Sequence, residues 1–197
     1  MEGTNPVNKK LAAALSGGAV LVLALSGCSG DDSNEELNSW AKQVCDARVA
    51  PAKKIQAAND SIQKVSSENS KPEEVQKADS KAFQDLSDAY GDIADAVEKA
   101  GPPPVDDGKK KQQNAVKELD ALSTGYADLK KKVDALDTGD QAAFAKGLEG
   151  IGEGLTKLSQ NGDNAVAELQ EGEVGKAMEK QEGCKSTAAT PSASKNS

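Results

Sequence analysis

The chain reads as an all-α protein, an antiparallel up-down bundle of about four helices, and three observations predict it. Apolar residues recur three, four or seven positions apart over long stretches, the signature of one buried helical face. Proline, glycine and Asn-Gly punctuation separates those stretches. Two cysteines, Cys45 and Cys184, stand near the beginning and the end of the patterned region. Short turns make sequential helices pack side by side, and an even number of antiparallel helices returns the last one to the end where the first began.

The first helical region, from about Asn34, carries Leu37, Ala41, Val44, Ala52, Ile55, Ala58, Ile62 and Val65. Pro51 interrupts it. A proline lacks the amide hydrogen an interior position needs and disfavours helix for the residue before it, which predicts a kink near Val49 to Pro51. Ser70 and Glu73 have the spacing of a capping box with Pro72 tolerated in the first turn, so the second helix is expected to start there. Its stripe is Val75, Ala78, Ala82, Phe83, Leu86, Tyr90, Ile93 and Val97, closed by Gly101 and Pro102-Pro103-Pro104.

Asp106 or Asp107 is expected to cap the third helix, with Lys109, Lys110 and Lys111 delaying its start because cations sit badly at the positive end of a helix dipole. Leu119, Leu122, Tyr126, Leu129, Val133 and Leu136 then alternate steps of three and four, a heptad seam. Thr138-Gly139-Asp140 predicts the next turn. The fourth region carries Phe144, Leu148, Ile151, Leu155 and Leu158, with a break expected near Gly162 in Asn161-Gly162 before Val166, Leu169, Val174 and Met178.

At the other end of the chain, Lys9 and Lys10 precede an uncharged run from Leu11 to Leu25, the length and character of a secretory h-region. A membrane span needs about 20 apolar residues, and Asp31 and Asp32 follow closely, which makes an uncleaved anchor the weaker reading. Leu25-Ser26-Gly27-Cys28 resembles the lipobox of bacterial lipoproteins. The resemblance implies diacylglycerol on the Cys28 sulfur and cleavage before that residue; an ordinary signal peptide would leave Cys28 as an unexplained thiol. The expected organisation is a removable leader over 1–27, a lipidated tether over 28–33, a bundle over 34–184 and a disordered Ser/Thr/Ala-rich tail over 185–197.

Composition excludes whole classes of function. The chain has 24 basic and 32 acidic residues, a net charge of −8, and losing the leader removes Lys9, Lys10 and Glu2, leaving it more acidic. Nucleic acids and anionic lipid surfaces want a Lys/Arg excess on one face, so no nucleic-acid partner is expected and the lipid must supply membrane attachment. Two acyl chains suffice, at about 0.8 kcal/mol per buried methylene.

With Cys28 committed to lipid, Cys45 and Cys184 remain as an even pair in an exported chain. A disulfide between them would close a loop worth about 4 to 5 kcal/mol in the chain-entropy model. A redox or metal pair is the alternative, but neither cysteine belongs to a C-x-x-C motif. There is no histidine in the chain, which removes the commonest general base and the commonest nitrogen ligand.

Nothing else points to catalysis, a cofactor or a metal. No nucleophile elbow, P-loop or dinucleotide fingerprint occurs. Asp92, Asp95 and Glu98 read as a solvated helix face. Asp137 and Asp140, and Asn161, Asp163 and Asn164, are acidic turns without the spacing of a calcium-binding loop. Trp40, Phe83, Tyr90, Tyr126 and Phe144 all fall on or beside core stripes, with Trp40 placed to cover the disulfide.

One oddity remains. Gly147, Gly150, Gly152 and Gly154 crowd the fourth helix, each costing about 0.8 to 1 kcal/mol against alanine. Gly147, Gly150 and Gly154 form a smooth stripe beside Leu148, Ile151 and Leu155, which serves either close helix approach or a groove for a ligand or partner segment.

The lipobox, Trp40-Ala-Lys-Gln-Val-Cys45, the proline at 51 and a second cysteine near the end together resemble the small secreted lipoproteins of high-GC Gram-positive bacteria. That resemblance implies a lipoprotein on the outer face of the cell membrane and carries over no activity. The expected function is a non-enzymatic interaction or structural module facing an exported protein or a cell-wall component. The alternative is a small-ligand binding protein using an interhelical groove at the glycine stripe.

Overall fold

The computed structural model describes the backbone of residues 29–67 and 70–185, and the side chains of all of these but 29–33, 67 and 159–168. The leader, Cys28 and the tail beyond 185 lie outside the described residues. Two compact units divide the chain, 1–35 and 36–197, and the bundle belongs to the second. The described residues form no strand. Their helices are α1 (Ser29–Ser67), α2 (Pro72–Ala100), α3 (Gly108–Asp134), α4 (Gln141–Leu169), α5 (Gly172–Glu179) and α6 (Glu182–Lys185).

The core shows how the four long helices run. At one end Leu37, Trp40, Ala41, Val44 and Cys45 of α1 pack with Ala94 and Val97 of α2, Ala115 and Leu119 of α3, Leu169 of α4, and Val174, Ala177 and Met178 of α5. At the other, Ala58 of α1 packs with Ala82, Phe83 and Leu86 of α2, Leu129 and Val133 of α3, and Ile151 of α4. The beginnings of α1 and α3 thus meet the ends of α2 and α4. That is an up-down-up-down bundle. Tyr90 packs against both clusters, and its ring stacks on Tyr126 with centroids 5.5 Å apart.

Helix ends differ from expectation in four places, each for a local reason. The first helix starts at Ser29, not near Asn34, so the expected tether is largely helical backbone; acidic residues at 31, 32, 35 and 36 suit the positive end of a helix dipole. Pro51 lies inside this helix, as expected. The carbonyl that proline deprives of a partner belongs to Ala47, an exposed residue that water can solvate.

The cap of α2 lies one residue later than Ser70 and Glu73 suggest. Pro72 takes the first helical position, so Lys71 becomes the cap and its N–H donates to the Glu74 carboxylate at 3.0 Å. In α3 the lysines do not delay the start; Asp107 holds the cap position, as expected, but makes no side-chain cap hydrogen bond. The loop fixes this end: the Val105 N–H donates to the Pro103 carbonyl at 2.8 Å and the Gly108 N–H to the Val105 carbonyl at 3.0 Å. Exposed lysines cost only a few tenths of a kcal/mol at a dipole end.

The fourth helix is unbroken at Gly162. Leu155, Leu158, Gly162, Val166 and Leu169 keep steps of three and four in sequence, the spacing of a continuous helix, and Leu169 is buried. The chain breaks at Gln170 and Glu171 instead, where Gly172 takes a φ of +68°, a left-handed conformation that glycine adopts without strain.

Candidate functional site

The disulfide end is the most elaborately built part of the bundle. Cys45 of α1 is bonded to Cys184 of α6 across 139 residues of sequence. Cys45 is fully buried, while Cys184 packs at the edge of the same cluster. The close seat of α6 on α1 depends on Gly183: a β-carbon there would stand 2.5 Å from the Cys45 carbonyl oxygen. The half-buried Arg48 brings its Nη1 to 3.6 Å from the Cys184 sulfur, and burial lowers the guanidinium pKa from its usual value. Trp40 is buried in the cluster that holds Cys45 and also ties α1 to the end of α2, its Nε1–H donating to the Gly101 carbonyl at 2.8 Å.

The glycine stripe divides into two kinds of position. A β-carbon on Gly147 would stand 2.3 Å from a methyl of Leu136, and one on Gly154 would stand 2.7 Å from a methyl of Leu129. Across the same seam, Gly125 of α3 receives Leu158 of α4. These three glycines are seats into which leucines fit, Leu129 from α3, Leu158 from α4 and Leu136 from the turn after α3. Gly150 and Gly152 differ, since no atom lies within 4 Å of either β-carbon position. Both are exposed.

The acidic turn residues have local work. Asp137 accepts the Gly139 N–H at 2.9 Å, and Asp140 caps α4 by accepting the N–H groups of Ala142 and Ala143 at 3.0 Å. Asp92 pairs with Lys54 of α1 at 3.2 Å. Asp95 and Glu98 are exposed. The side chains of Asn161, Asp163 and Asn164 lie outside the described ones. Among the described residues no three His, Cys, Asp or Glu groups gather as metal ligands. Between the end of α2 and the first half of α3 lies an open depression of about 430 Å³ lined by Glu98, Gln112, Gln113, Val116, Lys117 and Asp120.

Sequence reasoning missed three polar residues that matter. Gln76 of α2 donates to the carbonyls of Val133 and Leu136 at 3.0 and 2.9 Å, holding the end of α3. Gln112 of α3 does the same for the end of α2 through Val97 and Glu98, at 3.2 and 3.1 Å. Each helix of the pair therefore adds a side-chain donor at the end of the other, where Val133 and Glu98 already accept the Leu136 and Gly101 N–H groups. No periodicity marks these glutamines. Asp79 did have a signal: it lies four residues after Val75 and four before Phe83, on the buried phase of α2. Its side chain is 7% exposed and its Oδ1 has no hydrogen-bond partner.

Among the described residues no helix is long and apolar enough to cross a membrane. No protein-family model matches the chain, and neither the curated proteins nor the solved structures yield a match.

Proposed function

We propose that this protein is a lipid-anchored lipoprotein of the extracytoplasmic face of the cell membrane. Its bundle acts as a non-enzymatic interaction or structural module for an exported protein or a cell-wall component. The observation that carries the reading is Leu25-Ser26-Gly27-Cys28 behind an uncharged apolar run, with the first core residues, Leu37 and Trp40, following soon after in sequence. The long-range disulfide supports an oxidising destination. Leu37, Trp40 and Cys45 share one end of the bundle.

Leucine side chains fill the seats at Gly147 and Gly154. That supports a packing role for the stripe over the ligand-groove alternative, which needs an unfilled cavity.

The test is a native mass spectrum of the protein isolated from its own membrane in mild detergent. An interaction module brings a co-isolating polypeptide or cell-wall fragment that survives buffer exchange and is lost when the bundle is unfolded. A retained small molecule held by the bundle, with no macromolecular partner, would contradict the reading in favour of ligand carriage.

A further inference from the structure

Away from the disulfide, the first turns of α2 form a junction with the end of α3. Gln76 holds the last carbonyls of α3, and the Ser80 hydroxyl reaches the Asp134 carboxylate. Between those two residues sits Asp79, nine-tenths buried, with an orphaned Oδ1. A carboxylate with one oxygen buried and unpartnered is costly in such a place, whereas the protonated acid needs less solvation.

The charged residues at the same level of the bundle do not relieve it. On α3, Lys130 is bonded to Asp134 at 2.6 Å. Asp60 and Lys64 on α1, and Lys146 and Glu149 on α4, are exposed; on α2 itself Lys81 pairs with Asp85 and Lys77 is exposed. Burial is accordingly the one cause of its altered titration, raising the carboxyl from the ordinary 3.8 to about 6.

We propose that Asp79 is a protonation latch: the neutral acid holds the start of α2 against the end of α3, and ionisation loosens that end of the bundle while the disulfide end stays closed. The closed end binds the proton more tightly than an opened one. Its advantage is complete below the ordinary carboxylate range and is lost as pH rises through about 6. That end of the bundle is thus firmer at pH 5 than at neutral pH, and the inference stands independently of the lipid anchor.

Hydrogen exchange of the full, oxidised chain at pH 5.0 and 7.5, corrected for the intrinsic pH dependence of exchange, tests this. Amides of residues 72–83 and 130–140 should be protected about tenfold more at pH 5.0, with those of 37–45 and 174–178 unchanged. Asp79→Asn, which mimics the neutral acid, should abolish the difference, and Asp79→Leu serves as a second uncharged variant should the amide fail to fold. Equal protection at both pH values in the parent, a uniform response of both ends, or a pH difference that persists in a folded uncharged variant would each overturn the latch.

Discussion

At the scale of single residues, the glycines of α4 divide by what faces them. Gly150 has empty space around its β-carbon position and Gly147 has a leucine methyl. Alanine at 150 should therefore gain most of the helix-propensity difference, about 0.5 to 1 kcal/mol in chemical denaturation. Alanine at 147 must displace Leu136 and should gain less or lose stability. Equal gains at both sites would mean that the α3–α4 seam is looser than described. Asp79 gives a second prediction. Because burial raises its pKa to about 6, Asp79→Asn should stabilise the protein at pH 7.5, on the order of 1 to 2 kcal/mol. That gain should fade as pH falls below about 4, where the parent carboxyl is also neutral in both states. Urea midpoints measured across that range decide it.

At the scale of elements, the heptad seam of α3 was legible because leucine and valine at steps of three and four leave one side of a helix to bury: Leu119, Leu122, Leu129 and Val133 are all buried. Helix ends were less legible. Their positions depend on contacts that spacing does not encode, such as the tight loop before Gly108. Of the disulfide end, the cysteines and Trp40 could be read from residue type and position. Arg48 and Gly183 could not, since their roles follow from how α6 lies on α1. Gln76 and Gln112 belong to the same class. Alanine at either should cost about 0.5 to 1.5 kcal/mol by removing a side-chain donor from helix-end carbonyls. The two act at opposite ends of the α2–α3 pair, so the double variant should lose close to the sum of the singles.

At the scale of the whole molecule, the bundle has few aromatic side chains and a core rich in alanine, and one covalent link joins its first helix to its last. Replacing both cysteines, Cys45→Ser with Cys184→Ser, should lower stability by about 2 to 5 kcal/mol. Thermal melts of the oxidised parent and the double variant measure this. The four long helices define the body, while α5 and α6 close its disulfide end.

The central claim is the lipid on Cys28, and the most direct measurement is the intact mass of the mature chain from the membrane fraction of a bacterium that processes lipoproteins. The account predicts a chain beginning at Cys28 whose excess mass matches a diacylglyceryl group, with any further amino-terminal acyl chain, and which disappears in Cys28→Ala. A mature chain cut elsewhere, or one beginning at an unmodified Cys28, would contradict it.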